Sequence, residues 1–494
     1  MLRVGIALVV AMTAAACATN PVTGKRQISF MSEEQEIQMG RELDAEVRRE
    51  MGVYRDEQLQ KYIEEIGMRL ARQSQRPNLP WQFTIIDSPA VNAFALPGGY
   101  IYITRGILPY LDNEAQLAGV LGHEIGHVAA RHSAQQYTRS AVTSMGVLIG
   151  SIFVPQVRPF GQLAETGLGA VFLKYSRENE LQADSLGAEY AAACGWDPAE
   201  VPVFLTTLAR IDQVSDRNGT PNWLQTHPQP ENRVERVQAT VQKVRPANSD
   251  GRDWTVDRDG YLSKINGVVF GDNPQEGITR GNEFIHPDLR FAITFPDGWE
   301  IVNGEEQVTA QEPGNKIFMV LETVQQSRTR GVPQSRPVTP TRGIQQTAEA
   351  HMKSAGYRLT EGSATKINGL DAFVGTYQGK ASGLGPATAR GAHIVSGRNT
   401  YFIGGIAKPD DYPRVLNEFN DAIQSFRTLE RDEADRIQPN RVDLYTARTG
   451  DTWQSIAQRV GKGNVKASTL AIMNNHSVDE QPAAGEKIKI VVGG

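Results

Sequence analysis

The sequence predicts a multidomain protein: a mainly α region with a small sheet, then an α/β region with an antiparallel sheet, then a small βααβ region. Three observations support this fold class. At 494 residues the chain is long enough for about three domains of roughly 150 residues each. Apolar residues recur with a helical period to about residue 245 and alternate with a strand period beyond residue 282. Polar, glycine-rich sequence at 246–281 predicts a linker between them.

The charge and cysteine content of the chain limit its expected partners and cross-links. The formal net charge is -5 and no run of lysine or arginine stands out, so we expect no nucleic-acid partner. The chain has 2 cysteines, Cys17 and Cys194. Because Cys17 lies at the end of an export signal, described next, the exported chain is expected to be held by packing alone, without a disulfide.

The N-terminal stretch is MLRVGIALVVAMTAAAC, with one early positive charge, a short apolar run and small residues before Cys17. This pattern predicts a secretory signal at residues 1–16. A small-residue run that stops at a cysteine resembles a bacterial lipobox, although Ala14 stands where leucine is usual. The resemblance implies lipidation of Cys17 and, because Ala18 is not aspartate, an outer-membrane lipoprotein facing the periplasm of a Gram-negative envelope. A plain signal cleavage nearby is the alternative.

The helical region is expected to begin after a lipidated tether at residues 17–30, which are polar and contain proline and glycine. The helical pattern of residues 31–245 predicts a single, mainly α domain. Its helical pattern is interrupted by FTIIDSPAVNAFALPGGYIYITRGIL, which predicts two short strands with a turn at residues 97–99. The apolar segment 141–173 is broken by Pro155 before the roughly twenty residues that a bilayer span needs. A mobile hairpin that touches lipid and an ordinary core helix remain open for it.

The two later regions differ in period. Residues 282–430 contain alternating segments and end in the helical pattern YPRVLNEFNDAIQSFRTL, which predicts an antiparallel sheet with flanking helices. By pattern this region resembles the PsbP-type α/β domain, and it shows no catalytic constellation. Residues 440–494 read strand, helix, helix, strand, and TGDTWQSIAQR, LAIMNN and GEKIKI resemble a LysM module. That family binds N-acetylglucosamine-containing glycans, so the resemblance implies peptidoglycan as a partner. A degenerate module that contacts only protein is the alternative.

The segment VLGHEIGHVAARH contains two histidines four residues apart. On a helix His123 and His127 lie within about 40° of each other, so both rings can reach one point. Glu124 projects beside them, where a base can take a proton from a metal-bound water without binding the metal. His132 is rotated by about 140° from the ligand face, which predicts a structural or surface role.

The same helix carries two further signals. Asp112 or Asn113 can cap its N-terminus. Gly119, Gly122 and Gly126 share one flank, and each glycine inside a helix costs about 1 kcal/mol relative to alanine. Three glycines on one side indicate that another backbone passes close by, either a substrate strand or a helix that bears a ligand. Tight helix packing alone is equally compatible with the pattern.

A second helix can supply a third ligand. The segment YSRENELQADSLGAEYAAACGW predicts a helix that begins after Ser176 and ends at Gly195. Glu180 and Asp184 lie one turn apart on the same face of this helix. Glu180 can complete a His, His, Glu shell for one zinc ion per chain, and Asp184 can fix the tautomer of a ligand histidine by accepting its second N–H.

These motifs carry a family resemblance. HExxH followed by ExxxD on a later helix is similar to the gluzincin metallopeptidases, and NAFALPGGYIYITRG, LGHEIGHVAARH and ENELQAD together resemble the HtpX and BepA group, which includes the CAAX prenyl proteases. The resemblance spans roughly residues 20–245 and implies Glu180 as the third ligand. In BepA-like members a histidine on a loop such as LQTHPQPENRVERV occupies or guards the fourth position, which implies His227 here, with Arg233 helping to hold the loop. A role for His227 only in the turn is the alternative.

The resemblance implies a zinc endopeptidase. Zn²⁺ with three protein ligands keeps a position for a water whose pKa falls towards ~7. Glu124 is then expected to act as general base and later as proton donor to the leaving amine. The strand formed by Asn92, Ala93, Phe94 and Ala95 is expected to pair with an extended peptide, a mode that selects unfolded segments.

The family implies misfolded or unassembled envelope proteins as substrates, degraded by an enzyme attached to the membrane through Cys17 and to the cell wall through 440–494. Two alternatives from other classes remain open. One is a chaperone or assembly factor whose zinc site is latent because His227 blocks it. The other is a peptidoglycan-binding scaffold. A Glu124→Gln variant that keeps its function would indicate holding of substrates instead of proteolysis.

Overall fold

The computed structural model describes residues 17–28, 31–136, 175–214, 223, 227, 232–245, 253–304, 307–314, 316–324, 340–381, 384–460 and 465–493. The predicted signal at 1–16 and the apolar segment 141–173 lie outside the described residues. The chain divides into two compact units. The first joins Met1–Gly271 with Asn440–Gly493, and the second is Asp272–Pro439. Within the described ranges, no helix has both the length and the apolar content that a bilayer crossing requires.

The first unit is mainly helical up to residue 271. Its helices are α1 (Glu33–Met51), α2 (Glu57–Ala71), α3 (Glu114–Ala129), α4 (Arg177–Ala193), α5 (Glu200–Val214), α6 (Arg233–Val244) and α7 (Arg258–Ile265). Its strands in this part are β1 (Cys17–Thr19), β2 (Arg26–Ile28), β3 (Gln82–Ile86), β4 (Ala93–Leu96) and β5 (Tyr100–Thr104). The predicted helical character of this region is confirmed.

The predicted tether at 17–30 is wrong in part, because β1 and β2 form an antiparallel hairpin. The side-chain oxygen of Asn20 accepts the backbone N–H groups of Val22 and Thr23, which builds the turn. The amide of Asn20 also donates to the carbonyl of Ala130 at 3.0 Å, just beyond the end of α3. The polar, glycine-containing sequence therefore encodes a docked hairpin over these residues.

The small sheet has three strands in the order β3-β5-β4, where the sequence predicts two. β3 pairs with β5 in parallel, and β4 pairs with β5 antiparallel across the turn at residues 97–99. The turn is confirmed, since Gly98 and Gly99 both adopt positive φ. The additional strand was missed because its partner is not its sequence neighbour. β4 is an outer strand of the sheet, beside α3.

Helices α3 and α4 begin where the sequence predicts. Oδ1 of Asn113 accepts the backbone N–H of Gln116 at 2.9 Å, and Oγ of Ser176 accepts that of Asn179 at 3.2 Å, so both helices have side-chain N-caps. Gly195 ends the second helix region with φ of 89°. These caps fix the residues at which the two helices that carry the motifs begin.

The glycines of α3 allow α4 to approach closely. A Cβ on Gly122 would lie 3.0 Å from the backbone of Gly187, and a Cβ on Gly126 would lie 3.1 Å from the carbonyl oxygen of Ala183. Of the interpretations left open by the sequence, the close approach of a second helix applies at these two positions. The helix is α4, which carries Glu180.

The segment predicted as a linker at 246–281 is partly core. Helix α7 buries Tyr261, Leu262 and Ile265 in the main hydrophobic core of the first unit. The hydroxyl of Tyr261 donates to the carbonyl of Leu108 at 2.7 Å. The many polar and glycine residues around α7 hid its short apolar face, so the linker prediction is wrong for these residues.

The C-terminal region has the predicted order, with β17 (Arg441–Thr446), α11 (Trp453–Arg459), α12 (Ala467–Met473) and β18 (Lys487–Val492). It has a small core of its own, but Val442 and Ile472 also join the core of the first unit. The ammonium of the fully buried Lys489 donates to the carbonyl of Leu111 at 2.6 Å. Residues 440–493 thus pack against the peptide segment that leads into α3.

The second unit is an α/β structure with antiparallel strands, as predicted for 282–430. One sheet has the order β12-β13-β14-β15-β11-β10-β9 and another the order β16-β8-β7-β6. Its strands are β6 (Ile278–Arg280), β7 (Glu283–His286), β8 (Phe291–Thr294), β9 (Glu300–Asn303), β10 (Gln307–Gln311), β11 (Phe318–Thr323), β12 (Arg358–Ile367), β13 (Leu370–Ala381), β14 (Gly385–Ser396), β15 (Asn399–Ala407) and β16 (Arg427–Thr428). Its helices are α8 (Pro340–Ser354), α9 (Tyr412–Ser425) and α10 (Arg431–Asp435).

Candidate metal centre

Four side chains from three parts of the first unit converge on one point. His123 and His127 come from α3, Glu180 from α4, and His227 from the segment between α5 and α6. One donor atom from each lies within 4.8 Å of the others, and all four side chains are buried. The structure therefore brings together the predicted ligands and the residue expected at the fourth position.

The spacing of the donor atoms fits a small tetrahedral cation. Nε2 of His123 lies 3.0 Å from Nε2 of His127 and 3.3 Å from Nδ1 of His227. Oε1 of Glu180 lies 3.4 Å from Nε2 of His127 and 3.1 Å from Nδ1 of His227. Bonds of about 2.0–2.1 Å to a tetrahedral Zn²⁺ place neighbouring ligand atoms about 3.3 Å apart. The residues present thus match zinc in donor type, and these four separations lie near the tetrahedral value, within a set of donor atoms that all lie within 4.8 Å of one another.

Asp184 contacts His123, the arrangement that its predicted orienting role requires. The Nδ1–H of His123 donates to Oδ1 of Asp184 at 2.8 Å, so in the neutral ring the lone pair is on Nε2 and points to the centre. Arg233 donates to both carboxylate oxygens of Asp184, at 2.6 and 2.7 Å, and lies 3.3 Å from Glu180. The sequence predicts that Arg233 helps to hold the loop of His227. The described contacts place its guanidinium against these two carboxylates, and its role in holding the loop stays a prediction.

His132 lies beside the site, so the surface role considered for it is wrong. It is 1% exposed, and its Nδ1 lies 2.9 Å from Nδ1 of His127. Helix α3 ends at Ala129, and Arg131 adopts the left-handed φ of 60°, which returns the next residue towards the helix. The projection at 100° per residue therefore does not apply beyond Ala129. No sequence signal marks a left-handed arginine, which is why this contact was missed.

Two aromatic rings cover the histidines, and the sequence pattern did not indicate either. Tyr175 stacks on His127 with ring centroids 3.9 Å apart, and Trp223 stacks on His227 at 4.4 Å. The backbone N–H of Trp223 donates to the carbonyl of Val91 at 3.1 Å, two residues before β4. Lone aromatic residues show no ligand spacing, so only the fold places them at the site.

Glu124 is a fully buried carboxyl group next to the four donors. Neither of its oxygens has a hydrogen-bond partner among the described residues. Burial raises the pKa of Glu124, and the nearby His227 and His123 partly offset this shift. Oε1 of Glu124 lies 3.6 Å from Nε2 of His227. A buried, unpaired carboxyl with a perturbed pKa is a candidate for proton transfer.

Burial and charge set the other pKa values. Burial lowers the pKa of His127 well below its ordinary value, which favours the neutral ring that binds metals. Burial opposes the ionised form of Glu180, but His227 and His127 outweigh it and lower the pKa of Glu180 well below its usual range. For His227, Glu180 and Glu124 overcome the effect of burial and raise the pKa.

The predicted substrate strand coincides with the outer strand of the small sheet. Ala93, Phe94 and Ala95 lie in β4, and Asn92 immediately precedes it. Oδ1 of Asn92 is buried and has no hydrogen-bond partner in the described part of the chain. Its role and that of β4 in substrate binding stay predictions. The same holds for lipidation of Cys17, whose backbone begins β1.

Comparisons with known proteins agree with this geometry. Residues 57–241 match the model of peptidase family M48. The β-barrel assembly-enhancing protease of Escherichia coli K12 is 33% identical over 271 residues, which cover 53% of this chain and 54% of that protein. The mitochondrial metalloendopeptidase OMA1 of Arabidopsis thaliana is 31% identical over 189 residues, 37% of this chain and 36% of that protein. The chain thus spans about half or less of the length of these relatives.

One solved structure is similar to part of this chain. The cyanobacterial PsbP protein of Synechocystis matches with a TM-score of 0.24 and 10% identity, covering 31% of this chain and 95% of that chain. A TM-score of this size does not establish a shared fold, so the PsbP-like character of 282–430 stays a prediction, as does the LysM-like character of 440–494. The family match and the relatives concern the part of the chain that contains the four donors and Glu124. Residues 57–241 therefore resemble a domain of peptidase family M48, a family of metallopeptidases.

Proposed function

We propose that the protein is a zinc endopeptidase that hydrolyses misfolded or unassembled proteins of the Gram-negative envelope. One observation carries the proposal: the donor atoms of His123, His127, Glu180 and His227 lie within 4.8 Å of one another, beside the unpaired carboxyl of Glu124. This combination provides a metal site and a proton-transfer group in one buried cluster of side chains.

Each residue of the site has a distinct task in this proposal. His123, His127 and Glu180 would hold the ion, and Asp184 keeps His123 in the tautomer that binds. Zinc held there would act as a Lewis acid on the scissile carbonyl and would lower the pKa of a water molecule. Glu124 would accept the proton of the attacking water and pass it to the leaving amine.

His227 would restrain the site at rest. Its Nδ1 lies 3.3 Å from Nε2 of His123 and 3.1 Å from Oε1 of Glu180, which is the fourth corner of the donor set. A substrate or water would need this corner, so His227 would have to leave before hydrolysis. Once displaced, its imidazole could donate a hydrogen bond to the developing oxyanion.

The substrate would bind as an added strand on β4. An outer strand offers backbone hydrogen bonds that any extended peptide can use, so unfolded segments are favoured over a defined sequence. Trp223 already uses the carbonyl of Val91, two residues before this strand. We infer that Trp223 and His227 compete with the substrate for the same side of the site.

The location of substrates and enzyme rests on the sequence resemblances and the relatives. One relative is named a β-barrel assembly-enhancing protease, which supports outer-membrane proteins as the substrate class. Lipidation of Cys17 would anchor the chain to the outer membrane, and residues 440–494 would bind peptidoglycan. We propose a periplasm-facing quality-control enzyme in this position.

A second candidate is a chaperone or assembly factor with a latent zinc site. The occupied fourth corner favours this candidate, because His227 would prevent hydrolysis for as long as it stays there. A peptidoglycan-binding scaffold is a third candidate, which rests only on the LysM-like sequence. Zinc-dependent turnover separates the first candidate from the other two.

The test uses the full chain and one outer-membrane β-barrel protein in two forms, unfolded by dilution from urea and folded in phospholipid vesicles. We expect the enzyme to cleave the unfolded form, to lose this activity on treatment with a chelator and to regain it with stoichiometric Zn²⁺. Binding of the unfolded form without cleavage, at any zinc content, would contradict the peptidase and support the chaperone.

A further inference from the structure

His132 and Gln182 form a hydrogen-bonded chain behind one of the metal-binding histidines. Nδ1 of His132 lies 2.9 Å from Nδ1 of His127, and Nε2 of His132 lies 3.1 Å from Oε1 of Gln182. His127 and His132 are buried, and Gln182 is half-buried on α4. These hydrogen bonds therefore connect His127 on α3 to α4, the helix that carries Glu180.

The direction of each hydrogen bond in this chain follows from the chemistry of imidazole. Two Nδ1 atoms in contact share one hydrogen, so one ring donates and the other accepts. A neutral histidine that binds a cation through Nε2 carries its hydrogen on Nδ1. His127 must then donate to His132. The neutral ring of His132 has its own hydrogen on Nε2, where Oε1 of Gln182 accepts it.

The two histidines of the HExxH motif are thus oriented by different kinds of partner. His123 donates to Asp184, a carboxylate that Arg233 neutralises. Among the described residues, the side chain within hydrogen-bond distance of Nδ1 of His127 is the ring of His132. A neutral acceptor can also become a donor, and the hydrogen bond from Nε2 of His132 to Gln182 favours the tautomer in which Nδ1 of His132 carries no hydrogen.

We propose that His132 is a positioning residue that, with Gln182, holds His127 in the tautomer whose Nε2 lone pair faces the metal. This inference rests on the proposed zinc site and adds to it the group that determines the tautomer of the second histidine ligand. Loss of the acceptor at His132 would leave His127 free to carry its hydrogen on Nε2, where it would block binding of the cation.

Two neutral variants of similar size separate positioning from packing. In His132→Asn, the side-chain oxygen is attached to Cγ as Nδ1 is in histidine, so it can accept the hydrogen of His127. In His132→Leu no acceptor remains. We expect His132→Asn to bind Zn²⁺ almost as tightly as the wild type and His132→Leu to bind it about 10–100-fold more weakly.

A third variant changes Gln182, at the far end of the hydrogen-bonded chain. Gln182→Met removes the acceptor for Nε2 of His132 without adding charge. Because Gln182 is half-buried, we expect the fold to tolerate this substitution. We expect Zn²⁺ affinity to fall in the same direction as in His132→Leu, but by less, because His132 still retains one correct tautomer.

The experiment measures the Zn²⁺ dissociation constant of each full-length protein by competition with a chelator. The visible absorption of the Co²⁺-substituted proteins and the urea midpoint of the zinc-free proteins are measured in parallel. We expect a changed Co²⁺ spectrum for His132→Leu, a wild-type spectrum for His132→Asn, and similar urea midpoints for the two zinc-free variants.

Equal Zn²⁺ affinity in His132→Leu and His132→Asn would overturn the inference, as would wild-type affinity in Gln182→Met. If His132→Leu does not fold, the Zn²⁺ affinity of Gln182→Met relative to the wild type tests the inference instead. Failure of the wild type to bind Zn²⁺ would instead overturn the proposed function, so the two failures are distinguishable.

Discussion

Nδ1 of His227 lies 3.3 Å from Nε2 of His123, the separation of neighbouring ligands around a tetrahedral zinc ion. A histidine in this place would complete the donor set and leave no corner for water. In our proposal the same arrangement that makes the site suitable for zinc therefore also restrains it. Removal of His227 should reveal how strongly this residue restrains the site.

We expect His227→Ala to cleave unfolded casein about tenfold faster than the wild type or more, with zinc still bound. A tenfold increase corresponds to a closed state that is favoured by about 1.4 kcal/mol. Initial rates and zinc content are measured together. His476→Ala, which changes a half-buried histidine bonded to Glu486, is the control and should cleave at the wild-type rate. A slower His227→Ala enzyme would show that His227 assists the reaction more than it restrains the site.

Arg233 should stabilise the fold by compensating Asp184. Arg233→Met leaves a buried carboxylate without its partner, and we expect a loss of about 3–5 kcal/mol in the free energy of unfolding, measured in urea on the zinc-free protein. The double variant Arg233→Met/Asp184→Asn should recover much of this stability. It should still bind Zn²⁺ more weakly than the wild type, because the amide is a weaker acceptor for His123. Unchanged stability in Arg233→Met would contradict the ion pair.

The close approach of α3 and α4 should not tolerate a methyl group. A Cβ on Gly187 would lie 2.8 Å from the backbone nitrogen of His123, so Gly187→Ala must push the helices apart. We expect a loss of about 1–3 kcal/mol in the free energy of unfolding and weaker Zn²⁺ binding. Gly126→Ala, with its nearest contact at 3.1 Å, should lose less of both. A stabilised Gly187→Ala would place the helices farther apart than described.

Acid should destabilise the second unit. Burial lowers the pKa of His393 from 6.5 to about 3, and the charge of His351 adds to the shift. Between these values the unfolded chain binds the proton and the folded chain does not, so stability falls as the pH decreases from about 6.5. The contribution of His393 at pH 5 should be about 2 kcal/mol less favourable than at pH 8. In urea unfolding, the change in the free energy of unfolding between the two pH values should be smaller for His393→Gln than for the wild type. An equal change in the two proteins would contradict the assignment of this effect to His393.

The ligand set was predictable because it depends on local geometry. Helical spacing alone places His123 with His127 and Glu180 with Asp184, and side-chain caps determine where both helices begin. The glycines of α3 indicated that another backbone passes close by, but they did not identify it as α4. The assignment of Glu180 as the third ligand relied on the family resemblance, because spacing cannot show that two helices meet.

Contacts that depend on the path of the chain were not predictable. His132 reaches His127 because Arg131 adopts a left-handed conformation that its residue type does not suggest. β3 was missed because it pairs in parallel with β5, and the core residues of α7 were hidden within polar sequence. In each case the partner is determined by tertiary structure instead of by the neighbouring residues.

The proposed proton transfer by Glu124 is tested most directly by comparing the wild type with Glu124→Gln. Both full-length proteins are loaded with Zn²⁺, their zinc content is measured, and cleavage of unfolded casein is followed. Because Glu124 is proposed to move the proton and not to bind the ion, we expect equal zinc content and a rate about 10²–10⁴-fold lower in Glu124→Gln. Equal cleavage by the two proteins at equal zinc content would contradict the account.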